Sequence, residues 1–230
     1  MSSILDVDDG IRETCLWAIV NNAGVPGTVG PIEWLSASEF RRTIEINLFG
    51  VIFVTKEFLP LVRKEKGGRI VNMSSICGRF AIATGPYCAS KFGVEGFSDQ
   101  LRRELYRTGI SVHLIEPGYF DTGIVEEDTI QDGLNATFEQ APKEVQKYYG
   151  EAYKNEMINN HCKVLNTVMS PKVEKVVDAY EHAITSRFPK VRYVVGWDAN
   201  IPFRILWNFP EWITDFILSR TMCTPEGAKN

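Results

Sequence analysis

Four short apolar runs constrain the fold of this chain more than any other feature of its sequence. They are LWAIV (16–20), RIVNMS (69–74), ISVHLIE (110–116) and VRYVVG (191–196). Longer segments with a helical pattern separate them, and this alternation is typical of a parallel sheet covered by helices. Buried parallel strands are apolar throughout because helices cover both faces, and LWAIV and much of HLIE fit that description. We therefore predict an α/β fold.

The segments with helical character lie at 36–61, 87–106, 124–166 and 171–186. The first starts at a serine cap, Ser36 or Ser38, and a bend is expected near Pro60. The third is polar and charge-rich and contributes little core. The last has Ser170 as its cap and Pro171 at its first helical position.

The composition of the chain excludes several classes of function. At 230 residues and 26.0 kDa the chain suits a single domain with a real core. A formal charge of −4 and a pI near 5.5 leave no basic surface for nucleic acid, so no nucleic-acid partner is expected. The five cysteines are scattered without a CxxC pair, which argues against a disulfide framework or a metal site. No signal peptide and no apolar run of about 18 residues is present.

The stretch PYCASKFG (86–93) places Tyr87 and Lys91 four positions apart on a predicted helix. Residues at that spacing share a face, so the ammonium lies near the phenol. A phenol titrates near pH 10, and a neighbouring cation lowers that pKa toward the range useful for acid–base catalysis. Alone the pair is weak evidence, because a tyrosine and a lysine on one helix face are usually a surface pair.

Other polar residues are expected near this pair. Ser75 follows the second apolar run and can hydrogen-bond a reacting oxygen, while Asn47 is a polar residue within an apolar helix and can hold a water leading to Lys91. The segments NNAG (21–24) and PGYFDT (117–122) also follow apolar runs. Ligands of open parallel sheets bind beyond the carboxyl ends of the strands, so these segments converge on one edge.

The combination of these motifs resembles the short-chain dehydrogenase/reductases. NNAG, the asparagine of INLFG, the serines of VNMSS, YCASK and EPGYFDT occur in that family's order. The longer stretches VNMSSICGR, YCASKFGVEGFSDQLRRELYRTGISVHLIEPGYF and YVVGWDA look like the branch of membrane-associated retinol and hydroxysteroid dehydrogenases. The likeness extends from about residue 5 to residue 215. It implies a Rossmann-like, doubly wound parallel sheet in a single domain over 1–230, with 124–166 as a substrate cap.

The resemblance also assigns roles. Tyr87 would be the catalytic acid and base, Lys91 would lower its pKa and bind the nicotinamide ribose, and Ser75 would orient the substrate oxygen. Asn47 would support a proton relay. Ser74 competes with Ser75, but the branch's spacing of twelve residues before the tyrosine selects Ser75. The remaining residues implied to bind NAD or NADP are Asp6, Asn21, Ala23, Gly24, Pro117, Gly118 and Thr122.

One part of the family pattern is not found. The family begins with a strand and a TGxxxGxG turn that binds pyrophosphate, and this sequence contains no such turn. The chain is therefore expected to hold an incomplete, N-terminally truncated domain whose first strands are missing. LWAIV would then be an edge strand with an uncovered apolar face.

The predicted function is hydride transfer between NAD(P) and the alcohol or ketone of an apolar substrate such as retinol or a hydroxysteroid. The alternatives are an inactive truncated isoform that binds or dimerises through helices at about 38–60 and 87–106, and, less favoured, an epimerase or dehydratase. The apolar segment 201–220 is either an interfacial membrane anchor or a tail packed on the core or on a second subunit. The resemblance implies association with the endoplasmic reticulum membrane, while the lack of a targeting segment leaves a cytoplasmic location open.

Overall fold

A parallel sheet forms the centre of the molecule. The computed structural model describes residues 15–121 and 127–228. Within them the strands are β1 (Ala18–Asn21), β2 (Arg69–Met73), β3 (Ser111–Pro117) and β4 (Arg192–Val195). They lie side by side in chain order, all parallel. Each strand overlaps one of the four predicted apolar runs, with β1 and β3 ending one residue later, so the predicted α/β fold is confirmed.

The helices connect and cover these strands. They are α1 (Ala37–Ile44), α2 (Gly50–Val62), α3 (Gly85–Glu104), α4 (Glu127–Gln140), α5 (Lys143–Val168), α6 (Glu174–Thr185), α7 (Arg204–Leu206) and α8 (Glu211–Ser219). Ser36 caps α1 in a capping box with Glu39, as one of the two predicted serines. A π-helical turn, Glu45–Phe49, joins α1 to α2. The helix α5 is interrupted at Gly150, where φ is 80°.

Two predicted helix features need comment. Helix α2 continues through Pro60 to Val62, so it is not broken there, and a change of helical geometry lies earlier, at Glu45–Phe49. The last long helix does not start at Ser170–Pro171. Ser170 forms a bridge with Phe120 and its amide donates to the Tyr119 carbonyl, so the chain turns into α6 only at Glu174.

Successive residues of the central strands pack against helices on opposite faces of the sheet. Ile70 packs with Val62 and Leu101, from the side of α2 and α3. Val71, its neighbour, packs with Val176 and other residues of α6 on the opposite face. This alternation follows from the pleat of a strand, and it explains why a strand covered on both faces has no polar side.

The first strand lies at the edge of the sheet in the described part of the chain. It pairs only with β2 there, and the side chain of Val20 is 43% exposed. Trp17, just before the strand, is 44% exposed. The predicted uncovered apolar edge is therefore confirmed for these residues.

The polar region predicted to cap the substrate forms a layer of its own. Helices α4 and α5 pack around the buried Trp34, which contacts Phe138 and Tyr149 edge to face. Leu134 and Leu165 are buried in the same cluster, so this region contributes more core than its composition predicted.

The segment 201–220 is only partly packed. Phe203 and Trp207 contact the cluster around Ile76 and Cys77, whereas Trp212 and Phe216 are 72% and 57% exposed. None of the helices in the two described ranges is long and apolar enough to cross a membrane.

Candidate active site

Tyr87 and Lys91 lie in the first turns of α3, which begins at Gly85 with Pro86 in its first turn. The Lys91 Nζ lies 5.5 Å from the centroid of the Tyr87 ring. The same Nζ donates to the Met73 carbonyl at 3.0 Å, and only 3% of Lys91 is exposed. The helical spacing thus brings the ammonium to the face of the phenol ring while the end of β2 anchors it.

Ser75 joins this pair from the end of β2. Its hydroxyl accepts from the Cys77 amide at 3.1 Å and lies 3.5 Å from the Pro117 carbonyl, to which it donates. It is also hydrogen-bonded to the Tyr87 side chain. Ser74 is directed elsewhere, because its Oγ lies 2.8 Å from where a Cβ on Gly78 would be. Of the two serines, the structure brings Ser75 to Tyr87.

Burial dominates the electrostatics of the pair. It raises the pKa of the Tyr87 phenol, an effect that the nearby Cys77 strengthens and the hydrogen bond with Ser75 opposes. Burial also lowers the pKa of Lys91 to about 8. The predicted lowering of the phenol pKa is therefore wrong for this structure as a net effect, since the cost of burying a phenolate raises that pKa.

Asn47 lies in the π-helical turn Glu45–Phe49 and is fully buried. Its Oδ1 accepts from the Val25 amide at 2.8 Å, and its Nδ2 donates to the Val25 carbonyl at 2.9 Å. Nδ2 also donates to the Ser90 hydroxyl at 3.0 Å. Asn47 therefore ties the loop after β1 to the helix that carries Tyr87. π-Helical turns are often found at functional sites, and sequence patterns gave no sign of this one.

The NNAG segment places its glycine beside the pair. A Cβ at Gly24 would lie 3.2 Å from the Asn47 Oδ1 and 3.7 Å from the Lys91 Nζ, so the missing side chain leaves the ammonium approachable. Ala23 is exposed next to it. Asn21 differs: its Nδ2 donates inward to Thr55 and Asn72, so its side chain belongs to a buried network and not to the surface near Lys91.

The turn after β3 is held by a residue to which the sequence assigned no role. Asp198, which follows β4 and is fully buried, accepts from the Tyr119 amide at 2.7 Å. A Cβ on Gly118 would lie 2.1 Å from the Asp198 carboxylate, so glycine is required for this approach. Burial raises the pKa of Asp198. Asp198 belongs to the sequence segment YVVGWDA, but its role becomes clear only from the hydrogen bond that it accepts from the Tyr119 amide.

Two of the predicted cofactor residues, Asp6 and Thr122, lie outside the described residues. Pro117 and Gly118 lie at the carboxyl end of β3, with the Pro117 carbonyl beside Ser75. The structure therefore brings Ser75, Tyr87, Lys91, Asn47, Gly24 and the Pro117–Gly118 turn to one edge of the sheet.

A cleft of about 420 Å³ opens beside this edge. Its walls come from the loop 29–32, the segment 81–85, Cys88 and the helices α4 and α5. Another cavity, of about 480 Å³, lies between α6 and the residues around β4. None of the predicted site residues that the structure describes lines either cavity, but Gly85 and Cys88, which are close to Tyr87 in the sequence, line the cleft of about 420 Å³.

Cys77 and Cys88 are buried against each other beneath the site. A hydrogen bond from the Cys77 thiol lowers the pKa of Cys88 to about 7, while that of Cys77 itself is raised. Cys88 is only 6% exposed, so it packs as a small core residue.

The sequence of this chain is similar to those of known proteins. The profile of the family described as short chain dehydrogenase matches residues 9–133. Short-chain dehydrogenase/reductase family 9C member 7 of Bos taurus is 45% identical over 219 residues, which are 95% of this chain and 69% of the relative. Human 17-beta-hydroxysteroid dehydrogenase type 6 is 40% identical, over 96% of this chain and 69% of its own length. Mouse retinol dehydrogenase 5 is 38% identical, over 94% and 67%.

The fold agrees with these relatives. A short-chain dehydrogenase from Streptomyces avermitilis superposes with a TM-score of 0.61 at 24% identity, covering 91% of this chain and 71% of that structure. The sheet order, the motifs and the relatives agree with one another. This chain belongs to the short-chain dehydrogenase/reductase family of oxidoreductases, in its branch of retinol and hydroxysteroid dehydrogenases.

Proposed function

We propose that this protein transfers a hydride between NAD(P) and the alcohol or ketone of an apolar substrate, with Tyr87 handling the proton of the reacting oxygen. The observation that carries this proposal is the meeting of Ser75, Tyr87 and Lys91 at the carboxyl ends of β2 and β3, next to a cleft. A phenol, a hydroxyl and an ammonium in contact are the groups that this chemistry needs.

The residues present fit the nicotinamide end of the cofactor. The Lys91 ammonium has three donors, and the Met73 carbonyl takes one of them. Gly24 leaves the approach to this ammonium free of a side chain. Lys91 would therefore hold the ribose hydroxyls, with the Pro117–Gly118 turn at the nicotinamide ring. When bound, the nicotinamide supplies the acceptor or donor of the hydride.

The protein's own groups would then manage the oxygen. In the reductive direction Tyr87 gives its phenolic proton to the carbonyl oxygen as that oxygen gains negative charge, while Ser75 donates a hydrogen bond to the same oxygen. Lys91 stabilises the phenolate that remains. In the oxidative direction the phenolate takes the proton from the alcohol. The raised pKa of Tyr87 means that the phenol is protonated at neutral pH, which is the form that reduction needs.

Asn47 would hold the surrounding backbone and support the route by which Tyr87 regains its proton. Its hydrogen bonds to both polar groups of Val25 fix the loop that carries Gly24. A change at Asn47 would therefore act on Lys91 through that loop.

The cleft suits an apolar substrate. Val29, Ile32, Ile82 and Leu134 line it, and charged side chains are absent from its described wall. Its volume is in the range of pockets that hold one small molecule. The names of the relatives point to retinoids and hydroxysteroids.

The test is alcohol oxidation by the purified chain with NAD and, separately, with NADP as the hydride acceptor. Retinol and an androstane diol are the substrates. Tyr87→Phe should lower turnover by about 10²–10⁴-fold and leave cofactor binding unchanged. Tyr106→Phe is the matched control, because Tyr106 lies just beyond α3 and is 81% exposed.

The outcomes separate the main alternatives. Equal turnover by the Tyr87→Phe variant would overturn the role of the phenol. Failure of wild-type chain to bind any nicotinamide cofactor at millimolar concentration would instead favour a non-catalytic protein.

An exposed aromatic face supports a non-catalytic second candidate, a protein that pairs with another copy. Phe49 and Phe53 stack on each other at 5.7 Å and are 40% and 55% exposed, and Phe92 of α3 is 46% exposed. This face would form a homodimer through α2 and α3. Phe53→Glu should shift the mass measured by light scattering from dimer to monomer, and an unchanged mass would contradict the pairing.

The segment 201–220 would contact a membrane surface peripherally, as at the endoplasmic reticulum. Trp212 and Phe216 project from α8 with Arg220 at its end, and the Arg220 guanidinium lies over the Phe216 ring. Exposed aromatic and cationic groups suit the interface of a bilayer. Sedimentation with anionic vesicles should fall after Trp212→Ser with Phe216→Ser.

A further inference from the structure

The wall of the cleft carries one histidine among apolar residues. His161 lies on α5 between Met157 and Leu165, which are four residues away on either side. Residues at that spacing share a helix face. Met157 lines the cleft with His161, and Leu165 is buried in the cluster around Trp34. A leucine would satisfy the packing of such a face, so a histidine there needs another explanation.

The imidazole of His161 is not used by the protein itself in the described part of the chain. No hydrogen bond or ring contact joins it to another described residue. Other polar groups of the described wall are occupied or weak: Thr84 donates to the Pro26 carbonyl, and Cys88 interacts with Cys77. The ring, which lines the cleft, therefore retains both a donor and an acceptor.

The ring is also in its neutral form at physiological pH. Burial lowers the pKa of His161 below its ordinary value. A neutral imidazole offers one N–H donor and one nitrogen acceptor, so it pairs with a ketone or with a hydroxyl, and it does not select a carboxylate as a cation would.

The cleft adjoins the first turn of α3, the helix that carries Tyr87, at another part of its wall. Gly85 and Cys88, on either side of Tyr87 in the sequence, line it together with His161. Ile82 and Ala83 line it as well, and both pack, as Tyr87 does, against the buried cluster around Ile76 and Cys88. A substrate in the cleft therefore lies between the first turn of α3 and the histidine of α5.

We propose that His161 is a specificity-determining residue that binds a second oxygen on the substrate, away from the carbon that is oxidised or reduced. This inference rests on the proposed function. It selects, among apolar alcohols, rigid molecules with an oxygen at each end, such as hydroxysteroids, over retinol, whose far end is a hydrocarbon ring.

The experiment measures equilibrium binding to the NADH-bound protein, so it does not depend on turnover. The probes are an androstane diol with oxygens at both ends, the matching androstanol that lacks the far oxygen, and retinol. Wild type should bind the diol about tenfold more tightly than the androstanol, the effect of one hydrogen bond in a buried site. His161→Leu should reduce this ratio to about one and leave retinol affinity within about twofold.

Two variants separate recognition from packing. His161→Gln keeps a donor and an acceptor and should retain part of the preference for the diol. Met157→Leu alters the shape of the same wall without a polar change and should leave the ratio intact. Thermal unfolding of each variant checks that it is folded.

The outcomes are distinct. Equal binding of both steroids to wild type, or a preference that survives His161→Leu, overturns the role of His161 and leaves the proposed function standing. If no steroid and no retinol binds while NADH does, both the inference and the proposed substrate class are wrong.

Discussion

Arg192 holds together a cluster of buried carboxylates beneath the site, and its loss should destabilise the fold strongly. The guanidinium pairs with Glu95 of α3 and Glu116 of β3, and contacts Asp99 at 2.8 Å. Glu116 has no exposed side-chain surface and Glu95 has 8%. Arg79 lies 3.7 Å from Glu116 but is 37% exposed, so it offers a weaker replacement.

The magnitude follows from the burial of the two glutamates. Removing one partner of a buried ion pair costs about 3–5 kcal/mol, because a charge is left buried and unpaired. The exposed contact to Asp99 adds at most about 1 kcal/mol. Arg192→Met should therefore lower the free energy of unfolding by about 3–5 kcal/mol near pH 8, a large share of the about 5–15 kcal/mol typical of a domain.

The loss of unfolding free energy in Arg192→Met should be larger near pH 8 than near pH 5.5. Burial, followed by the charge of Glu116, raises the pKa of Glu95 from 4.5 to about 7. A carboxyl group whose pKa is raised by folding stabilises the fold fully below its unfolded pKa, and this contribution disappears as pH rises through about 7. Without Arg192 the pKa of Glu95 rises further, so the deficit of Arg192→Met should shrink to about half near pH 5.5.

Urea unfolding followed by tryptophan fluorescence measures these differences. Arg103→Met is the matched control, since Arg103 is 63% exposed and lies 3.9 Å from Asp99, and it should cost less than about 0.5 kcal/mol. If the Met variant does not fold, Arg192→Lys keeps a charge and should show a smaller deficit with the same trend. A deficit below about 1 kcal/mol, or one that is equal at both pH values, would refute the reasoning.

Three further changes test the site and the edge of the sheet. Because burial raises the pKa of Tyr87, kcat/KM for alcohol oxidation should rise about tenfold per pH unit from neutrality. The profile should flatten above about pH 8, where Lys91 loses its charge. A pH-independent profile would contradict the assignment of Tyr87 as the base. Asp198→Ala should raise the KM for the cofactor and lower the free energy of unfolding by about 1–3 kcal/mol, because the Tyr119 amide loses its hydrogen-bond acceptor. An unchanged KM would show that other contacts hold the turn after β3. Val20→Lys places a charge on the exposed edge strand and should reduce aggregation seen by light scattering, with little change in melting temperature; undiminished scattering would place the aggregating surface elsewhere.

Local patterns predicted the elements of this fold well. The strands and α3 follow from apolar runs and helical spacing, and Ser36 caps α1 through contacts that span three residues. These features depend on neighbours in sequence, which a single sequence displays directly.

Features that depend on distant partners were not predictable. The π-helical turn around Asn47 is stabilised by Val25 and Ser90, which lie 22 and 43 positions away. Ser170 has the sequence of a helix cap, but its backbone pairs with the segment around Phe120 instead. The raised pKa of Tyr87 results from burial by the whole fold, so the neighbouring Lys91 suggested the wrong direction.

The hydrogen bonds that hold the candidate site come mainly from strands other than the exposed edge strand β1. Lys91 is held by the end of β2, Ser75 by the turns after β2 and β3, and Asp198 holds the Tyr119 amide. The link from β1 is Asn21, which reaches this region through Asn72 in the buried network. Because the ends of β2 and β3 hold Lys91 and Ser75, and Ser75 is hydrogen-bonded to Tyr87, we expect these three proposed reacting groups to keep their arrangement even though β1 lies at an edge. Contacts around β1 would instead govern the loop with Gly24, and through it the affinity for the cofactor.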